Sequence, residues 1–315
     1  MNKFLWSIGF LILVIILGLF LQDRLLQLDQ TNIKKNSLKI LNFVKGSIVI
    51  KKVPIKKIET QSPQINARSV YLIDVDSAEP LFVKNETEKV PIASTTKIAA
   101  AMVILDDYCD HLSDIVTITK NMIDVEPSVV GLKIGEKITV ENLLYGMLIK
   151  SGNDAAYSLA EYFGGKDAFV VKMNQKAVQI GLHDTHYVDP AGLNDEGYST
   201  AKDLAIIGDY ALRHSKFSEI VTNAQKDISS VDGQITHELK STDRLIVPTE
   251  QYYYDKSIGG KTGFTNGAGY VLVSAAEDNG HRLLSVVLNT DQKALFASAK
   301  ESKKLLEWGF DNYSW

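Results

Sequence analysis

Cysteine is nearly absent from this chain. Cys109 is the only one in 315 residues, which excludes an internal disulfide framework and any zinc site built from several thiolates. Proline and glycine are sparse too, at 7 and 21 residues, too few for a collagen-like or low-complexity chain. Long apolar runs are lacking after the first 21 residues, so a multi-pass membrane protein is excluded. Basic charge is scarce in the main body. Residues 66–315 hold 24 Lys and Arg against 35 Asp and Glu, a net −11, whereas the whole chain carries only −4. Such a body offers no electrostatic footprint for a phosphate backbone, and no nucleic-acid partner is expected.

What is present is a folded protein's composition, 45% hydrophobic and 23% charged, with enough chain for a large core. Phe4 to Leu21 is an uncharged run of 18 residues, about 27 Å long as a helix, close to a bilayer's hydrocarbon thickness. Leu21-Gln22-Asp23-Arg24 has no small-x-small cleavage pattern and no cysteine for lipid attachment follows, so residues 1–21 are read as a membrane anchor or uncleaved signal. Residues 22–65 carry nine basic and three acidic side chains and read as a basic stalk, with Gly46–Ile50 able to form a short strand. By the positive-inside rule alone the stalk lysines would hold the body in the cytoplasm, but long domains translocate despite that bias.

The body, 66–315, has strands near both ends and helices between. Val70–Val75 and Leu81–Val83 read as a hairpin about Asp76-Ser77. Tyr270–Ala276 and Arg282–Leu288 read as a second, about the Asn279-Gly280 turn. Apolar spacing predicts helices over 94–105, 140–148, 154–163, 166–180, 201–212 and 293–308. The expected class is α+β, an antiparallel sheet covered by helices with a helical subdomain.

Three short motifs follow in order: Ser94-Thr95-Thr96-Lys97, Ser151-Gly152-Asn153 and Lys261-Thr262-Gly263. A second S-x-x-K, Ser199-Thr200-Ala201-Lys202, exists, but Thr200 with Asp203 reads as a capping box for an ordinary amphipathic helix. Ser94 instead opens Ile98–Leu105, which is apolar nearly all round and so should be buried. On a helix, Lys97 can reach Ser94 three residues away. A serine hydroxyl needs a base, yet lysine at its reference pKa of about 10.4 is neutral only about once in 2,500 molecules at pH 7. Desolvation and a second cation, for which Lys261 is the candidate, can lower that pKa by about three units. The helix's first backbone N–H can help hold an oxyanion. Ser151 can relay a proton to a leaving amine, and the Asn153 amide can bind a substrate carbonyl or hold Lys97. The glycine-rich 259–267 offers a strand edge for a peptide, while Lys261 and Thr262 can grip an anionic group. His183, Asp184 and His186 in one loop read as structural, and neither a metal nor a cofactor is called for.

With these motifs, Thr185–Leu193 and Leu305–Phe310 the sequence resembles the serine D-alanyl-D-alanine carboxypeptidases, the low-molecular-mass penicillin-binding proteins, over about 66–315. The resemblance implies a β-lactamase/transpeptidase-like fold and removal of the terminal D-alanine from peptidoglycan stem peptides, with β-lactams as covalent inhibitors. It implies Ser94 as acyl-ester nucleophile, Lys97 as proton acceptor, Ser151 as second active-site serine and Lys261 as substrate-binding. Asn153, Thr262, Gly263 and Phe264 complete the expected binding site, with the N–H groups of Ser94 and Phe264 as oxyanion hole. It also places the body outside a membrane that residues 4–21 would cross once. Well-known members of the group carry a β-rich domain and a membrane helix after the catalytic domain, which is not seen here. A class A β-lactamase is the rival on the same fold, but its E-x-x-L-N loop pattern is missing. A DD-endopeptidase and a catalytically silent wall-binding protein are the remaining alternatives.

Overall fold

The computed structural model describes residues 53–57, 61–291 and 294–315. The apolar run 4–21 and the possible strand Gly46–Ile50 lie outside the described residues. Among the described residues, no helix is long and apolar enough to cross a membrane. Residues 52–315 form one compact unit.

Its centre is a five-stranded sheet of β1 (Ala67–Asp74), β2 (Pro80–Lys84), β3 (Ser257–Thr265), β4 (Gly269–Asp278) and β5 (His281–Thr290), in the order β3-β4-β5-β1-β2. Every neighbouring pair is antiparallel. The β4–β5 connection is the expected Asn-Gly turn. Asn279 and Gly280 both have positive φ, 50° and 80°, and Asp278 pairs with His281. A two-residue turn of that hand matches the strands' own twist.

The three central strands, β1, β4 and β5, are largely buried on both faces, which is why they read as nearly continuous apolar runs. Val70, Leu72, Leu272, Leu283 and Val287 pack with Leu305 and Leu306 of the C-terminal helix, α7 (Ala297–Asn312). Ile73, Val271, Val273, Leu284 and Val286 face a larger core with the helices of the chain's middle. Those helices are α1 (Thr96–Asp107), α2 (Val140–Ile149), α3 (Asn153–Tyr162), α4 (Lys166–Gln179), α5 (Ala201–Leu212) and α6 (Ser215–Val221). Each fully buried aliphatic side chain contributes about 1.5–3 kcal/mol, so the side chains of α1, buried from Thr96 to Leu105, make it the axis of the helical layer. The α+β expectation, a sheet between helices, is the architecture observed.

Two differences from the expected elements stand out. The α-helix that was expected to start at Ser94 starts at Thr96, because Ala93–Thr95 form a separate 3-10 turn. Gln225–Ser229 and Thr236–Lys240 form a hairpin that the sequence pattern does not show, because its buried face is little more than Ile228, His237 and Leu239. The stretch expected as a stalk is joined to the body near its end. Ile55 and Lys56 pair with Ser314 and Tyr313, and Ile65 is buried in the core under α7.

Candidate active site

Ser94 is held by the tight 3-10 turn in front of α1. Ala93 sits at φ 48°, in the left-handed region where a residue with a Cβ is strained. Just ahead of the buried α1, Ser94 borders the cleft. One turn on, Lys97 Nζ lies 2.8 Å from Ser94 Oγ, the helical neighbour contact the spacing implies. Lys97 also donates to Asn153 Oδ1 at 2.7 Å and to the Ala191 carbonyl at 2.8 Å. Both of those partners are pure acceptors. A neutral amine has two N–H groups and one lone pair, so when both are spent on Asn153 and Ala191 the lone pair faces Ser94. That is the posture of a base.

The electrostatics favour the neutral form. Lys97 has 0% of its surface exposed, and burial pushes its pKa well below the lysine range. The positive charge of Lys261 lowers it further, against the pull of Asp189 and Asp154. Lys261, at 1% exposure, is brought down to about 7 by burial, with Asp243 opposing. Asp243 is itself pushed up by burial. Buried lysines lose charge because desolvation penalises the ammonium form.

Ser151 follows the end of α2 with φ 61°. Glycine is the default residue for a left-handed turn after a helix, and a serine there costs about 1–2 kcal/mol. Its hydroxyl accepts from Lys261 Nζ at 2.8 Å. Lys261 also donates to the Thr262 carbonyl at 2.8 Å. Two residues past Ser151, Asn153 opens α3. Its side-chain nitrogen donates to the Glu126 carbonyl at 2.7 Å, and its backbone N–H donates to the Ser128 carbonyl. The Asp154 carboxylate then gathers the N–H groups of Val130, Gly131 and Leu132, shaping that loop around Asn153.

β3 is an edge strand, and its outer side forms the opposite wall. Gly263 comes so close that a Cβ there would lie 2.8 Å from Ser94 N and 2.9 Å from Ala93 Cβ, so only glycine lets the strand approach the nucleophile's amide. Phe264, on the alternate face, is exposed and packs on Tyr270, with ring centroids 4.5 Å apart. Thr262 donates its hydroxyl to Thr242 at 2.6 Å. Ser94, Ser151, Asn153, Thr262, Gly263 and Phe264 all border one cavity of about 540 Å³. Lys97 and Lys261 stand buried behind it. All eight residues singled out from the motifs are thus brought together.

Other residues at the site had no motif to reveal them. Arg244 lines the same cavity, with its guanidinium bonded to Glu250 at 2.6 Å and lying over the Phe296 ring. Asp189 accepts from the N–H groups of Ala191, Gly192 and Asn194, which fixes the carbonyl that Lys97 uses. Gly192, at φ 75°, lies against Ala93; a Cβ would come within 1.9 Å of the Ala93 carbonyl oxygen. Of these, Asp189, Ala191 and Gly192 fall in Thr185–Leu193, one of the segments on which the family resemblance rests, and Arg244 does not. The rival serine, Ser199, is buried and bonded to Thr185, and Thr200 accepts from Asp203 N as a helix cap. Nearby, Asp184 pairs with Lys89 at 3.0 Å.

The profile of the S11 peptidase family, described as D-alanyl-D-alanine carboxypeptidase, matches residues 56–292. The chain is 33% identical over 78% of its length to D-alanyl-D-alanine carboxypeptidase DacF of Bacillus subtilis, of which it spans 63%. It is 34% identical over 79% of its length to DacB2 of Mycobacterium tuberculosis, spanning 84% of that protein. The crystal structure of a Streptomyces DD-transpeptidase superposes with a TM-score of 0.75 at 32% identity, covering 80% of this chain and 100% of that one. That of a D-alanyl-D-alanine carboxypeptidase from Mycobacterium tuberculosis gives 0.73 at 32% identity, covering 82% and 96%.

Proposed function

From the chain's membership of the S11 family of D-alanyl-D-alanine carboxypeptidases, we propose that it removes the terminal D-alanine of peptidoglycan stem peptides through an acyl ester on Ser94. The observation that carries this reading is the posture of Lys97, whose two hydrogen-bond acceptors leave its lone pair for the Ser94 hydroxyl.

In the first step neutral Lys97 takes the Ser94 proton while Oγ attacks the penultimate carbonyl. The N–H groups of Ser94 and Phe264 receive the oxyanion; each such donor is worth about 10²–10³ in rate. Collapse breaks the peptide C–N bond, and the departing amine takes a proton relayed through Ser151, which Lys261 holds in place. Water then cleaves the ester and frees Ser94. The substrate's terminal carboxylate lies by the Thr262 hydroxyl and Arg244, on the wall Lys261 supports from behind. A β-lactam enters the same way, but its leaving nitrogen stays tethered to the acyl group, which explains covalent inhibition.

Residues 4–21 serve as a single-pass anchor that leaves the catalytic body on the outer side of the membrane, where its polymeric substrate lies. Deleting residues 1–24 should move the protein from the membrane fraction to the soluble fraction with activity intact; an unfolded product would make the run a core element instead.

The test pairs fluorescent-penicillin labelling with D-alanine release. Ser94→Ala should lose both, and Ser199→Ala should keep both. Labelling without release in the wild type would favour the silent penicillin-binding reading. Hydrolysis of the penicillin itself at a high rate would favour a β-lactamase.

A further inference from the structure

We infer that Asp195 is a latch that holds the two walls of the cleft at their reacting distance, a positioning residue for acyl transfer; the inference rests on the acyl-enzyme reading above. Asp195 lies in the loop that follows Asp189, and its carboxylate reaches the turn between β3 and β4, some 70 residues away in sequence. Thr265 Oγ1 donates to Asp195 Oδ1 at 2.5 Å, and Gly267 N donates to Oδ2 at 3.1 Å. The fit is close, since a Cβ on Gly267 would stand 2.5 Å from Oδ2.

Both ends of this connection lead to reacting groups. On one side, the Asp189–Asn194 turn is tied by three backbone N–H bonds to one carboxylate; it carries the Ala191 carbonyl bonded to Lys97 and the Gly192 contact with Ala93. On the other side is β3, which among the described residues pairs with β4 alone, so no strand ladder among them ties its outer side to the helical layer. Lys261–Ser151 and the Thr262–Thr242 hydroxyl bond clasp the strand at its middle, and Asp195 clasps its far end at Thr265. Gly263 and Phe264 lie between these points. Release of the second clasp lets the Phe264 N–H drift from the place where the oxyanion forms, and displacements of about 1 Å at such a group cost about 10²-fold in rate.

Asp195→Ala in the full chain should lower the first-order acylation constant for penicillin, and kcat for D-alanine release, by about 10- to 100-fold. The pre-covalent binding constant and KM should change by less than about threefold. Asp195→Asn should restore most of the rate, because its amide nitrogen can donate to Thr265 Oγ1 while its oxygen accepts from Gly267 N. Asp195→Ala combined with Thr265→Val should be no slower than Asp195→Ala alone. Hydrogen exchange read over residues 261–268 should speed up in Asp195→Ala, a readout independent of catalysis. Unchanged exchange, an acylation constant equal to wild type, or rates that fall only in step with thermal stability would each overturn the latch. A wild type that penicillin does not acylate would overturn the proposed function, and the exchange measurement would still decide the latch.

Discussion

Asn153 and Lys97, 56 residues apart, meet at 2.7 Å, amide oxygen to amine. This bond joins the first two motifs and gives Lys97 a neutral partner in place of a counterion. Neither Asn153 nor the other two groups in contact with Lys97, Ser94 and the Ala191 carbonyl, carries a charge.

That neutrality predicts the effect of Asn153→Asp. A carboxylate beside the amine favours the ammonium form and raises the Lys97 pKa. The base would then be scarcer at neutral pH, and the acid limb of the acylation profile should move to higher pH. The variant should be slow at pH 7 and recover as pH rises. A uniform loss at every pH would mean that Asn153 acts on the substrate carbonyl and not through Lys97.

Recognition of the terminal carboxylate can be read with an amidated substrate. Hydrogen bonds to charged groups are worth about 1.5–3 kcal/mol, or roughly 10- to 150-fold in rate constant. Amidation should cost the wild type about that much in kcat/KM, and Arg244→Ala should be slow but much less sensitive. If the wild type cleaves free and amidated peptides equally well, an endopeptidase reading moves ahead.

Lys261 should make stability depend on pH. Its ordinary pKa of 10.5 falls to about 7 in the fold. Below about 7 it is charged in both states, and the full cost of burying that charge falls on the folded state. Between about 7 and 10.5 the unfolded chain binds the proton and the folded chain does not, so stability rises with pH, by up to about 1.4 kcal/mol per unit. Urea denaturation at pH 7, 8 and 9 should show a steeper rise for wild type than for Lys261→Gln. Parallel curves would mean that Lys261 stays protonated in the fold.

Two glycines separate strain from crowding. Gly192 and Gly181 have φ of 75° and 83°, but a Cβ on Gly181 meets nothing within 4 Å, whereas one on Gly192 would collide with Ala93. Gly181→Ala should lose about 1–2 kcal/mol and keep penicillin labelling. Gly192→Ala should lose more and label slowly, because relief of the collision moves the turn that carries Ser94. Equal losses with equal labelling would show that the Gly192 contact plays no part in setting the nucleophile.

Much of the fold was legible because it is local. The Asn279-Gly280 turn declares its hairpin, the apolar block 98–105 declares a buried helix, and Thr200 with Asp203 declares a cap that removes Ser199 from contention. The hairpin at 225–240 stayed hidden because a strand with one or two inward apolar residues has no readable period. Arg244 and Asp195 stayed hidden for a different reason. Each acts through partners that no short spacing relates to it, and an isolated arginine or aspartate in a loop reads as solvated surface.

The three motifs, the reach of Lys97 to Ser94 and the glycine-rich strand edge at 259–267 are all readable from the sequence, since each depends on chain geometry over a few residues. It takes the folded chain to push the Lys97 pKa down by burial, to bring Lys261 to the Ser151 hydroxyl across 110 residues, and to set Asn153 and the Ala191 carbonyl as acceptors for the amine. Desolvation arises only when separate segments pack and expel water, and a hydrogen bond between distant residues exists only where the fold brings them together.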